Sequence, residues 1–268
     1  MVDALHRLIR RIGAQVRGFY AAVGLFLLLG LGLAALAAGL FALLAEGVLA
    51  GTTRAFDEAV VAWAQAHRTP WLDWLALAGA VLGSGAVAWV VLVAGSLALW
   101  RTRHRLSVLL LWISLLGGRL LAEQLKLLLG RARPPPVGWE LEVFGRPVGF
   151  PSSPSFPSGH AVTSVVVFGT LAYLVVRLEP TVRTRRVTLA LAAALILLIG
   201  ASRVYLGVHY PSDVLAGYLA GFVWATFAAF AIEMIRSLRH RRPDIAREEK
   251  DLEQGLRPVR EALPGGEG

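Results

Sequence analysis

Six stretches of the chain are apolar over enough residues to cross a bilayer as helices. They cover 20–45, 75–100, 106–129, 161–176, 187–206 and 214–235. A helix needs about 20 mostly apolar residues for this. The fourth stretch is short, and the third is interrupted by Arg119, Glu123 and Lys126. Between the first two, Phe56, Val60 and Trp63 recur at helical spacing with Asp57 and Glu58 turned elsewhere. That pattern predicts a short amphipathic helix, lying on the membrane surface or packed on the spans. Residues 130–159 form a long loop rich in Pro and Gly, and 237–268 are polar and rich in Glu, Arg, Pro and Gly. The expected fold is all-α: a six-transmembrane-helix bundle with a short extracytoplasmic amphipathic helix. Its expected parts are a basic cytoplasmic N-terminus (1–19), a six-span domain (20–236) and a disordered cytoplasmic tail (237–268).

Composition supports a membrane protein and changes the reading of the charge. The chain has 56% hydrophobic and 17% charged residues, and its mean hydropathy is +0.61. The net charge of +9 then speaks for orientation rather than for nucleic acid, because cytoplasmic loops collect Lys and Arg. Arg7, Arg10, Arg11 and Arg17 precede span one, and Arg101, Arg103 and Arg105 link spans two and three. Arg177, Arg183, Arg185 and Arg186 link four and five, and Arg236, Arg239, Arg241 and Arg242 follow six. With six spans these four regions share one side, the cytoplasm, and both termini lie there. The N-terminus reads as neither a signal nor a transit peptide. Cysteine is absent, which excludes disulfide and thiolate chemistry.

The topology gathers the informative polar residues on the opposite side. Lys126 and Arg133 are two helical turns apart and can face the same way if the helix lasts that long, before Pro134 to Pro136 end it. Two converging cations suit a phosphate; the bland reading is that both snorkel to the interface. Pro157, Ser158, Gly159 and His160 lead directly into an apolar run. Ser158 is an N-cap candidate, the helix start is a ready anion site, and His160 stands where it could protonate a leaving oxygen. The alternative is an ordinary capped helix. Ser202 and Arg203 precede His209 and Asp213, which are four apart. Asp213 can hold one imidazole nitrogen and free the other to attack, although Pro211 between them makes a turn as plausible as a helix. Arg119, Glu123 and Lys126 share a helix face and read as a salt-bridge ladder. Glu140 and Glu142 read as solvated charges, and His6, His67, His104 and His240 as incidental.

Together the three clusters resemble the tripartite motif of the type 2 phosphatidic acid phosphatase (PAP2) family. Its K-x6-R-P part is Lys126 to Pro134, its P-S-G-H part is Pro157 to His160, and its S-R-x5-H-x3-D part is Ser202, Arg203, His209 and Asp213. The resemblance implies a helical bundle of the PAP2/haloperoxidase-like type with no metal or other cofactor. It implies that His209 attacks phosphorus and forms a phosphohistidine, that Asp213 orients it, and that His160 protonates the leaving group and later activates water. Lys126, Arg133, Ser158, Gly159 and Arg203 would bind the phosphoryl oxygens. Six spans argue against the family's soluble members. The expected activity is removal of phosphate from a membrane lipid phosphate or pyrophosphate at the extracytoplasmic face of a cell membrane, with undecaprenyl pyrophosphate favoured. The alternatives are a phosphotransferase with a lipid or sugar acceptor, and a transporter whose charges line a pathway. The motifs do not encode the oligomeric state or the route of lipid entry.

Overall fold

The computed structural model describes residues 28–136, 142–143, 146–147 and 150–261. The expectations for 1–19, for the start of the first span and for Glu140 lie outside these residues. The regular structure among the described residues is helical apart from a two-residue antiparallel ladder, β1 (Glu142–Val143) with β2 (Arg146–Pro147). Among the described residues five helices are long and apolar enough to cross a membrane: α1 (Leu28–Leu49), α5 (Arg105–Leu129), the run Gly159–Leu178, α8 (Val182–Tyr205) and Pro211–Leu238 of α9 (Pro211–Glu261). The bent pair α3 (Pro70–Leu82) and α4 (Gly85–Arg101) passes the same test taken together, and counts as a sixth crossing if the two form one span. Leucines along α1, α5 and α8 stay exposed, as lipid-facing side chains do when no water has to be excluded from them.

The second expected span, 75–100, is therefore not one straight helix. It starts earlier, at Pro70, and bends by 52° between Leu82 and Gly85. The break is local chemistry: Ser84 leaves helical geometry and its hydroxyl accepts from Val87 N at 3.3 Å, capping the second piece. The site needs room at this place, because a Cβ on Gly83 would lie 2.5 Å from Ile199 Cγ2 and 3.0 Å from His160 Cδ2.

The amphipathic helix forms as α2 (Arg54–Ala66). Phe56 and Trp63 are exposed, but Asp57 is fully buried. The helix packs on the spans through that neighbouring face, with Gln65 donating to the Tyr205 carbonyl at 2.8 Å. Asp57 is thus turned inward, because it finds partners in the protein rather than in water.

The fourth span is built of α6 (Gly159–Ser164), a π-helical turn (Val165–Gly169) and α7 (Thr170–Leu178). It lies tight against the first turns of α9 (Pro211–Glu261). A Cβ on Gly217 would sit 2.7 Å from both Ala161 Cβ and the Ser158 carbonyl, so glycine sets that approach. Phe156, fully buried, packs with Ala45 and Ala216 and holds the loop ahead of α6.

The chain divides into two compact units, 1–229 and 230–268. In the second, the backbone is helical to Glu261, where composition predicted disorder. Glu, Arg, Lys, Gln and Leu, good helix formers, dominate the sequence of 244–261. Arg236 Nη1 pairs with Glu233 Oε1 at 2.7 Å in the same unit.

Candidate active site

The three motifs meet in one place. His209 lies in the turn between α8 and α9 and is 3% exposed. Its backbone is fixed from α8: the amides of Val208 and His209 both donate to the Arg203 carbonyl, at 3.1 and 3.2 Å. Pro211 opens α9, where the missing amide is no loss. Asp213, in the first turn, accepts from Tyr210 N at 2.9 Å. That is the acidic half of a capping box, so the carboxylate is set by helix geometry before it meets the imidazole.

The imidazole is gripped on both sides. Nδ1 faces Asp213 Oδ2 at 3.4 Å, and Nε2 lies 3.1 Å from Arg133 Nη1. A guanidinium can only donate. Nε2 therefore carries the lone pair and Nδ1 the proton that points to the carboxylate. Burial drives the His209 pKa down to about 4; the hydrogen bond to Asp213 opposes this, and Arg133 adds to it. The ring is neutral near pH 7.

Arg133 reaches this position by a route the spacing argument did not foresee. α5 ends at Leu129, and Gly130 turns the chain with φ +58, a left-handed cap that favours glycine. Arg133 therefore stands on the extended segment after the helix, not two helical turns above Lys126. It donates to the carbonyls of Val208 and Ser153, each at 2.7 Å. Lys126 remains on α5, 8% exposed, and pairs with Glu123 at 3.0 Å. A Cβ on Gly159 would lie 3.3 Å from its Nζ, so the ammonium sits directly against the start of α6. The expected ladder is half built: Arg119 is exposed and its guanidinium lies near Gly85.

Ser158 holds the N-cap position of α6, but its hydroxyl makes no cap hydrogen bond. Its amide donates to the Asp213 carbonyl at 2.9 Å, which ties the second motif to the third. Two buried polar atoms here, Ser158 Oγ and Arg203 Nε, have no protein partner. Buried polar groups are nearly always satisfied, so these two donors on two motifs are left available to a ligand. His160, half-buried, completes the set beside Gly83. Every residue expected from the sequence is brought to this region.

Motif reasoning gave no role to Asp57, Arg131 or Ser212, although Arg131 stands with Lys126 and Arg133 at the outer end of the third span. Arg131 Nη1 donates to Asp213 Oδ1 and Ser212 Oγ, each at 2.7 Å, and Nη2 to Asp57 Oδ2 at 2.7 Å. The available signal was a lone carboxylate beside the apolar face of a short helix. Grooves of about 380 and 440 Å³ flank the site; Pro134 to Pro136 and Phe150 line both.

Comparison with known proteins adds to this geometry. The PAP2 superfamily model matches residues 107–236, which contain all three motifs. Phosphatidylglycerophosphatase B of Bacillus subtilis is 30% identical over 184 residues, covering 68% of this chain and 86% of that protein. Lipid A 1-phosphatase of Rhizobium johnstonii is 33% identical over 135 residues, half of this chain and 51% of that one. The crystal structure of a transmembrane PAP2 type phosphatidylglycerolphosphate phosphatase from Bacillus subtilis superposes with TM-score 0.67 at 28% identity, over 75% of this chain and 96% of the other.

Proposed function

This chain belongs to the PAP2 superfamily and is a multi-pass membrane lipid phosphatase; from that premise we propose that His209 is its nucleophile and a phosphohistidine its intermediate. The observation that carries the reading is the buried imidazole itself, with one nitrogen on the Asp213 carboxylate and a lone pair on the other facing Arg133. In the proposed reaction Nε2 attacks the terminal phosphorus and its bond to the leaving oxygen breaks, the bridging oxygen in a lipid pyrophosphate or the ester oxygen in a lipid monophosphate. His160 gives its proton to that oxygen. His160 then accepts a proton from water, whose oxygen attacks phosphorus; the P–N bond breaks and inorganic phosphate leaves. Asp213 stabilises the positive charge that develops on the ring.

Lys126, Arg133, Arg203, Ser158 and the Gly159 backbone are proposed to hold the phosphoryl oxygens. Phosphoryl transfer is mostly positioning and electrostatic stabilisation, and convergent donors supply both without a metal. Arg133 would exchange its contact with Nε2 for a phosphate oxygen, uncovering the nucleophile as substrate binds. The unpartnered Ser158 Oγ and Arg203 Nε support this assignment.

The proposed site faces the extracytoplasmic side, with both termini in the cytoplasm, on the strength of the arginine distribution. For the substrate we propose undecaprenyl pyrophosphate. A second reading, phosphatidylglycerol phosphate, is favoured by the relative that matches over 86% of its length. Phosphate release from a panel of both lipids, phosphatidic acid and a lipid A 1-phosphate distinguishes them by kcat/KM. Undecaprenyl pyrophosphate is expected to lead; a lead for phosphatidylglycerol phosphate establishes the second reading. Product that forms only with an added lipid or sugar acceptor would replace hydrolysis by phosphotransfer.

A further inference from the structure

Asp57 lies outside all three motifs, on the amphipathic helix, yet it is fully buried. A buried carboxylate is costly unless paired and hydrogen-bonded, and the short bonds of this one lead to the site. Oδ2 accepts from Arg131 Nη2 at 2.7 Å and from Ser212 Oγ at 2.6 Å, and Oδ1 accepts from Ser212 N at 3.1 Å. Arg131 extends its other terminal nitrogen to Asp213 Oδ1 at 2.7 Å, and its guanidinium lies over the Tyr210 ring, 4.3 Å from the centroid. One guanidinium is thus clamped between a carboxylate on α2 and the carboxylate that faces His209.

We propose that Asp57 is a positioning residue for the phosphatase reaction, which through Arg131 and Ser212 holds Asp213, and so the His209 imidazole, in the geometry of attack. The inference rests on the reading of His209 as nucleophile. Arg131 has a planar fork that suits both oxygens of a single carboxylate. With Asp57 absent, that fork is free to close on Asp213 alone. Oδ2 would then leave Nδ1, where the existing contact is already long at 3.4 Å. Charge points the same way. Asp57, Arg131 and Asp213 together leave one net negative charge beside the ring, which opposes the positive charge that forms on it during attack. Neutralising Asp57 removes that surplus. The Asp57 carboxylate bonds Arg131 and Ser212 rather than any of the anion-holding groups, so the substrate's phosphate would still bind.

The test uses the full-length protein in detergent. Asp57→Asn, Asp57→Ala, Ser212→Ala and His209→Ala are compared with wild type for kcat, KM, inhibition by inorganic phosphate and melting temperature. Asp57→Asn and Asp57→Ala are expected to lose roughly ten- to hundredfold in kcat, the scale found when an outer hydrogen-bond partner that holds a metal-binding side chain in place is lost. KM and phosphate inhibition are expected to stay within about twofold of wild type, because uniform binding is untouched. Added formate is expected to restore part of the kcat of Asp57→Ala but none of His209→Ala, since only the first leaves a hole shaped for a carboxylate. Wild-type kcat in Asp57→Asn overturns the proposal. So does a loss that formate leaves unaltered and that comes with a lowered melting temperature, which is a folding defect. If neither Asp57 variant folds, Ser212→Ala decides: it keeps every charge and is expected to lower kcat severalfold at constant KM, whereas unchanged kcat overturns the role. Activity retained by His209→Ala would instead remove the underlying reading, whatever Asp57 does.

Discussion

His209 is held neutral by its surroundings rather than by its own chemistry. An ordinary imidazole titrates near 6.5, and burial takes this one to about 4. Attack on phosphorus needs the neutral ring. As pH falls, the group stays active through the ordinary histidine range and is lost only on approach to its own lower pKa. The acid limb of kcat/KM, once the substrate's own phosphate ionisation is divided out, is therefore expected near pH 4; a limb at 6.5 would mean an exposed, unconstrained ring. Removing Asp213 would take the pKa lower still, since its hydrogen bond is the main force raising it.

Among the helices, close approach is decided by glycine. α9 meets the start of α6 at Gly217, where a side chain would run into Ala161 and the Ser158 carbonyl. Gly217→Val is expected to cost about 1–3 kcal/mol by overpacking, read as a lowered melting temperature in detergent. It is also expected to lower kcat, because the strain falls on the Ser158 turn. A variant with both unchanged would show that the two helices separate freely. The motif residues were legible in the sequence because their chemistry is local: a cap position, a His and an Asp one helical turn apart, two cations before a proline run. What was not legible depended on the third dimension. The spacing of Lys126 and Arg133 suggested a shared helix face, but Gly130 ends α5 and the two converge by a turn instead. Asp57 gave no motif signal, since its partners Arg131 and Ser212 are far away in sequence. The bend at Gly83 and Ser84 was hidden because the segment stays apolar across it.

For the whole molecule, the distribution of arginine predicts which side the site faces. The chain has no cysteine, so single introduced cysteines report directly. Glu58 and Thr181 are both exposed and, in the proposed orientation, lie on opposite sides. In intact cells lacking an outer barrier, an impermeant maleimide is expected to label Glu58→Cys and to reach Thr181→Cys only after permeabilisation. The reverse pattern would turn the site toward the cytoplasm. The central claim is that this fold releases phosphate from a membrane lipid through one histidine and without a metal. The most direct measurement is phosphate release from a lipid phosphate in detergent with excess EDTA, by wild type and by folded His209→Ala. The account predicts undiminished turnover by the wild type and none by the variant; turnover that collapses with EDTA, or that survives the loss of His209, would contradict it.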